Sequence, residues 1–309
     1  MSVLLLFGAT GVGKSRLLAA SDEDSLTGEP SAEIISADSR QVYRSMDIGT
    51  AKPSPAERRR IPHHLIDIID PDEAWDVGRF VAECDRLVPE IEGRGRRAII
   101  SGGTAFYVRG YLFGLPRTPQ TPPELRTRLA ERLETEGLDA LRDELRRIDP
   151  ASDERIAAND RYRVLRALEV YHTSGRPLSE YTVPKTPRSD RDIVAVGLYR
   201  ERGELYRRID ERVDAMFEAG LPREVELLAR RGYGASAAGM RAIGYREFFS
   251  VGGPPPWGAV ALEHIRRAIA RNSRRYAKRQ ETFFRRLPGV RWIHAEDNAA
   301  REVVLDRSR

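Results

Sequence analysis

The run Gly8-Ala9-Thr10-Gly11-Val12-Gly13-Lys14-Ser15 fits the pattern G-x-x-x-x-G-K-[ST] and follows five apolar residues, Val3 to Phe7. The chemistry this spacing allows is anion capture. Glycines let the backbone wrap an anion, N–H groups at the start of a following helix point at it, and Lys14 adds a point charge. Ser15 is placed to ligate a magnesium ion. A strand pattern before the run and a helical pattern after it, Arg16 to Ala20, give the context that separates a phosphate loop from a chance Gly-rich turn. A phosphate or diphosphate is the expected ligand, and the loop alone does not say whether it belongs to a nucleotide.

Two further strand ends carry reactive groups. Ser36-Ala37-Asp38-Ser39-Arg40-Gln41 places a carboxylate where a strand stops, a position from which Asp38 can hold a metal through water or take a proton from a nucleophile. Ser101-Gly102-Gly103-Thr104 precedes a helical pattern, so Thr104 can cap that helix, donate its hydroxyl to a phosphate, or both. Arg208 and Arg212 stand four apart on one predicted helix face, where a guanidinium can meet a diphosphate oxygen bidentately. Basic residues crowd the predicted helix 259–287, with Arg266, Arg267, Arg271, Arg274, Arg275, Lys278, Arg279, Arg285 and Arg286 opposed only by Glu263 and Glu281. Tyr162, Tyr276, Phe283 and Phe284 interleave with basic positions, a pattern suited to a nucleic-acid backbone with bases stacking on rings.

The elements that must position these groups read as a doubly wound α/β core. Apolar runs at 3–7, 33–36, 97–101 and 192–199 predict buried parallel strands with helices between them, and 290–294 predicts a short strand at the sheet edge. A Pro/Thr-rich connector after Pro116 leads into helical patterns at 124–136, 138–148, 153–158 and 160–172, followed by a Pro/Ser/Thr-rich loop. The expected organisation is a core of residues 1–114 and 192–309 with a helical insertion at 115–191. The 309 residues carry a net charge of +5, which favours a polyanionic partner. Cys84 is the single cysteine, excluding an internal disulfide or a cysteine metal cluster, and it reads as a buried thiol. The start of the chain lacks a basic region ahead of its apolar run, and no run approaches the ~20 residues of a membrane span, so a cytoplasmic protein without a membrane partner is expected.

On these residues the sequence closely resembles the tRNA dimethylallyltransferases, also called tRNA isopentenyltransferases. The matching pieces are GATGVGKS (8–15), ISADSRQVYRSMDIGTAKP (35–53), IPHHLIDIIDP (61–71), ISGGTAFYVRGYLFGLP (100–116), NDRYRVLRALEVYHTSGRPLSE (159–180), LYRRIDERVDAMFEAGL (205–221), RAIGYRE (241–247) and RRYAKRQETFFRR (274–286). The resemblance implies a P-loop NTPase-like core with a tRNA-binding insertion, acting as a monomer. It implies transfer of the dimethylallyl group of dimethylallyl diphosphate to N6 of the adenosine just 3′ of the anticodon, tRNA position 37. Mg²⁺ assists, and the target base is drawn out of the anticodon stem-loop. In that reading residues 8–15 form the diphosphate site, with Lys14, Ser15 and its metal, Thr104 and Arg212 holding the leaving group. Asp38 matches the general base, and Ser39, Arg40 and Gln41 match contacts to the target nucleotide. Arg126, Tyr162, Arg163, Val164, Leu165 and Arg166 match tRNA contacts in the insertion. Residues beyond about 295 match nothing and read as a polar tail. Rival readings are a small-molecule kinase, which needs no basic helical insertion; an enzyme prenylating free AMP, against which the insertion and basic helix argue; and a non-catalytic RNA-binding protein, which leaves the pairing of Asp38 with the loop unused.

Overall fold

The computed structural model describes residues 2–20, 31–250 and 255–305. Among these, six parallel strands form one sheet in the order β3-β2-β4-β1-β5-β6. They are β1 Val3–Gly8, β2 Ala32–Ala37, β3 His63–His64, β4 Arg97–Gly102, β5 Ile193–Tyr199 and β6 Arg291–His294. The helices are α1 Lys14–Ala20, α2 Pro55–Arg60, α3 Val77–Gly93, α4 Ala105–Phe113, α5 Pro123–Ile148, α6 Pro150–Arg155, α7 Arg161–Ser174, α8 Arg202–Glu218, α9 Leu221–Arg230, α10 Arg246–Ser250, α11 Ala259–Phe284 and α12 Asn298–Leu305. From β1 the chain crosses to one edge of the sheet for β2 and β3 and later to the other for β5 and β6, the winding of a doubly wound α/β fold. Every residue of β1 and of β4 is buried, which is why β1 and, after Arg97, β4 read as unbroken apolar or small-residue runs instead of alternating ones. No helix among the described residues is long and apolar enough to cross a membrane.

By their internal contacts the residues divide into two compact units, Met1–Leu112 with Arg188–Arg309, and Phe113–Pro187. In the larger unit Leu4 and Leu6 of β1 pack with Ile34, Ile99, Val196 and Leu198 of neighbouring strands and with Leu205 and Ile209 of α8. Those last two residues, four apart, fix the rotation of α8 and thereby aim Arg208 and Arg212. Cys84 is fully buried on α3, and burial pushes its thiol well above the usual range. In the smaller unit Leu125, Leu129, Leu141, Leu145, Val164 and Leu168 form a core drawn from α5 and α7. Gly137, at φ 82°, breaks α5 between the two stretches that the sequence pattern separates.

Four expectations need correction. The segment expected as helix at 153–158 instead forms α6 at Pro150–Arg155, because Asp149 accepts from Ser152 N at 3.0 Å and Pro150 sets the first turn. The basic helix ends at Phe284, short of Leu287. Phe284 is unavailable for stacking on a base, being fully buried with its ring 4.9 Å from that of Phe7. The supposed polar tail contains α12, which buries Ala300 and Val304 in the same cluster as Leu18 of α1; residues 306–309 lie outside the described residues. β3, α2 and α10 are additions to the pattern, each too short to show a periodicity in the sequence.

Candidate functional site

The loop between β1 and α1, the turn after β2 and the turn after β4 meet outside the carboxyl ends of the strands, where open α/β sheets bind ligands. A cavity of about 350 Å³ opens there. Thr10, Lys14, Ser15, Asp38, Ser39, Arg40, Gln41, Thr50, Gly102, Gly103, Arg212, Tyr276 and Gln280 are among its walls. Gly8, Ala9 and Val12 are buried beneath the loop and shape it. Gly13 takes φ 113°, a conformation open to glycine alone at little cost. The Lys14 ammonium folds back over the loop, donating to Gly8 O at 2.9 Å and Ala9 O at 3.1 Å.

Asp38 sits on the first residue beyond β2, and its Oδ1 accepts from Arg40 N at 2.9 Å, fixing the turn. Thr104 grips the same turn from β4's side: its hydroxyl accepts from Ser39 N at 2.9 Å while its own N–H donates to Ala37 O at 3.1 Å. This close approach excludes any side chain at Gly102, where a Cβ would fall 2.2 Å from Ala37 O. Gln41 accepts from Ser36 Oγ at 2.9 Å and donates to Ala51 O at 3.3 Å, tying β2 to the Gly49-Thr50-Ala51 loop. Arg208 donates to Gly11 O at 3.0 Å, and Arg212 reaches Thr10 Oγ1 at 3.3 Å and Thr50 O at 3.5 Å.

Three positioning residues were not singled out in the sequence. Gln280 of α11, 3% exposed, donates to Gly103 O at 2.6 Å and accepts from Thr10 N at 2.9 Å, joining the phosphate loop to the β4 turn. Its signal is a polar residue on the buried stripe that Ile265, Ile269, Ala277 and Phe284 trace along that helix. Arg200, at the end of β5, donates to Val12 O at 2.7 Å and is held by Glu204 and Glu296. Glu224 of α9 collects Asp47 N, Ile48 N and the Tyr245 hydroxyl at 2.9, 2.8 and 2.6 Å, which holds the Met46–Pro53 segment against the Arg241–Glu247 segment.

The cavity wall is strongly cationic. Lys14, Arg40, Arg212, Arg241, Arg246 and Arg279 face Asp38, the one carboxylate among its described lining residues. Burial lowers the Lys14 ammonium to about 8; Asp38 opposes the fall and Arg212 adds to it. The Arg212 guanidinium is likewise lowered by burial, with Asp38 opposing. Burial and the Asp38 charge raise the Tyr276 phenol to about 12, so it stays a neutral donor. Six cationic side chains against one carboxylate leave this wall short of negative charge, which an anionic ligand would supply.

No cluster of three or more His, Cys, Asp or Glu able to cage a metal occurs among the described residues. Magnesium does not require one, since it keeps waters and shares ligand phosphates with one or two protein oxygens. The Ser15 hydroxyl and the Asp38 carboxylate on one cavity wall fit that donor set.

The remaining sequence candidates lie in the smaller unit. Asp160 caps α7, accepting from Arg163 N at 3.1 Å. Tyr162 is 73% exposed and Arg163 is exposed beside Asp160, whereas Val164 is fully buried and Leu165 packs against the helical core. Arg166 donates to Thr118 Oγ1 at 2.9 Å, Thr121 Oγ1 at 2.8 Å and Glu169 at 3.0 Å; Arg126 approaches the same Glu169 oxygen at 3.8 Å.

Comparison with known proteins finds relatives along nearly the whole chain. The IPP transferase family profile matches residues 41–287. A tRNA dimethylallyltransferase of Geobacter sulfurreducens is 40% identical over 297 residues, 96% of this chain and 93% of its own length. One of Desulforudis audaxviator is 43% identical over 88% of each chain. Among solved structures, the full-length tRNA isopentenylpyrophosphate transferase of Bacillus halodurans superposes with a TM-score of 0.66 at 36% identity, covering 98% of this chain and 94% of its own. A eukaryotic dimethylallyltransferase acting on tRNA gives 0.76 at 28% identity, covering 97% of this chain and 75% of its own. The chain belongs to the IPP transferase family, and its core is P-loop NTPase-like.

Proposed function

We propose that the protein transfers the dimethylallyl group of dimethylallyl diphosphate to N6 of the adenosine just 3′ of the anticodon in tRNA. The observation that carries this reading is one cavity holding both an anion cradle and a single turn-fixed carboxylate, on a chain related along nearly its whole length to tRNA dimethylallyltransferases. The purine N6 is a poor nucleophile because its lone pair is delocalised into the ring, so the protein must align it with the allylic C1 and assist departure of the diphosphate. As the N6–C1 bond forms and the C1–O bond breaks, the electron pair leaves with the diphosphate and an N6 proton passes to Asp38. Loop residues 8–15, Lys14 and Arg212 take up the leaving charge, and Thr104 has a hydroxyl proton still to donate, having used its oxygen to hold Ser39 N. Magnesium held at the Ser15 hydroxyl would neutralise diphosphate charge, leaving Asp38 free to act as base. Ser39, Arg40 and Gln41 shape the wall that receives the target nucleotide.

The insertion supplies the second half of the reading. Arg126, Tyr162, Arg163 and Arg166 form its contact surface for the anticodon stem-loop, with residues 164 and 165 keeping α7 in place beneath them. Arg163→Glu combined with Arg126→Glu should weaken tRNA binding and lower the slope of log Kd against log salt by roughly one unit per lost phosphate contact, measured by filter binding. An unchanged slope would remove these residues from the interface.

Lys14 gives the reading a pH signature. Its ammonium, protonated below about 8, is lost above it, so kcat/KM for dimethylallyl diphosphate at saturating tRNA should fall as pH rises through that value. Lys14→Arg should move that decline out of the alkaline range, because arginine stays charged. The direct test of function is incubation of unmodified tRNA with radiolabelled dimethylallyl diphosphate, followed by nucleoside analysis. Label in N6-(dimethylallyl)adenosine is expected; ATP turnover without RNA, and no labelled nucleoside, would favour a kinase.

A further inference from the structure

Beside the cavity lies an aromatic pair that the transfer step does not use. Phe106 stands in the first turn of α4, two residues after Thr104, and is 58% exposed. Its neighbour Tyr107 takes the inward position, stacked on Phe80 with centroids 4.4 Å apart, so α4 turns Phe106 outward. Phe283 of α11 meets it edge-on, centroids 5.4 Å apart and planes at 62°. Phe283 is in turn braced edge-on against buried Phe284 at 6.3 Å, so the pair is anchored to the core. Tyr276, Gln280 and Phe283 follow one another at i, i+4 and i+7 on α11, and the first two line the cavity; the aromatic pair therefore continues the cavity wall outward along the same helix face. The surrounding charges suit a polyanion, since Lys278, Arg279 and Arg286 are exposed on this part of the chain.

We propose that Phe106 and Phe283 form a stacking seat for the nucleobase adjacent to the adenine that enters the cavity. The proposal rests on the reading of tRNA as the substrate. Drawing one base out of a loop leaves each neighbour with an uncovered face, and an anchored ring at the mouth covers one of them. Such a contact is indifferent to base identity, because every base has a π-face. The seat holds the RNA in register while Asp38 and the phosphate loop act on the extruded adenine.

The test uses the full chain, an anticodon stem-loop RNA, and the same RNA made abasic on one side or the other of the target adenosine. Phe106→Leu keeps an apolar side chain without a π-face and should raise KM for the intact RNA about 5- to 150-fold, the range of a lost base–aromatic stack. KM for dimethylallyl diphosphate should not change, and Phe106→Tyr should behave as the unsubstituted protein. On one of the two abasic RNAs, Phe106→Leu should cost nothing further, because the stacking partner is already gone. Equal KM values for Phe106→Leu and the unsubstituted protein on intact RNA, or losses that multiply on both abasic RNAs, would overturn the seat. Should the unsubstituted protein transfer nothing to the intact stem-loop, the tRNA reading itself fails; fluorescence anisotropy of the same RNAs then decides the seat by the same comparison of affinities.

Discussion

Asp38→Asn is expected to lower kcat for prenyl transfer about 10²- to 10⁴-fold, the range of a positioned general base, while leaving tRNA affinity unchanged. Asparagine keeps an oxygen able to accept from Arg40 N, so the turn after β2 should hold its shape and the loss should report proton acceptance. The same substitution removes the charge that opposes the lowering of the Lys14 ammonium. The alkaline fall in kcat/KM for the diphosphate substrate should therefore move to lower pH in this variant. A steady-state comparison of kcat, with tRNA Kd measured separately, checks the first effect, and a pH series checks the second. Near-normal kcat in Asp38→Asn would take Asp38 out of the role of base.

Arg212→Ala should produce the other large loss, about 10²- to 10³-fold in kcat, comparable to deleting one donor aimed at developing negative charge. The leaving diphosphate gains charge as the C1–O bond breaks, so the effect should fall more on kcat than on KM for dimethylallyl diphosphate. Arg212 bridges Thr10 Oγ1 and Thr50 O through two nitrogens of one guanidinium. Arg212→Lys should recover only part of the activity, because a single ammonium cannot span both sides of the cavity as the planar fork does. Loss confined to KM, or full recovery with lysine, would make Arg212 a binding charge and nothing more.

The parts of the site legible in the sequence are those built from neighbouring residues. A phosphate loop is a backbone shape written in eight consecutive positions, and Asp38 and Thr104 follow from the rule that strand ends face the ligand. Arg212 is legible through its spacing from Arg208, although nothing local says that Leu205 and Ile209 would seat that face of α8 on the loop. Gln280 carries only a faint mark, its place on the buried stripe of α11. Its partners are Gly103, 177 positions away, and Thr10, 270 away, and a glutamine in a basic helix reads as solvated until the sheet brings those turns beneath it. Glu224 is hidden likewise, since its partners Asp47 and Ile48 precede it by 177 and 176 positions. The expected polar tail overlooks a legible pattern: Ala299, Ala300, Val303 and Val304 fall at i, i+1, i+4 and i+5, one helix face, among charged neighbours that make the segment read as solvated.

In the proposed reaction the glycine-lined loop presents a carbon electrophile and releases an intact diphosphate. Dimethylallyl diphosphate labelled with ¹⁴C in the allyl group and ³²P in the terminal phosphate, incubated with unmodified tRNA, tests this in one reaction. The expected products are ¹⁴C in the RNA, an equal amount of [³²P]pyrophosphate in solution, and no ³²P in the RNA. Appearance of ³²P in the RNA or as orthophosphate, with the allyl label left in solution, would contradict it.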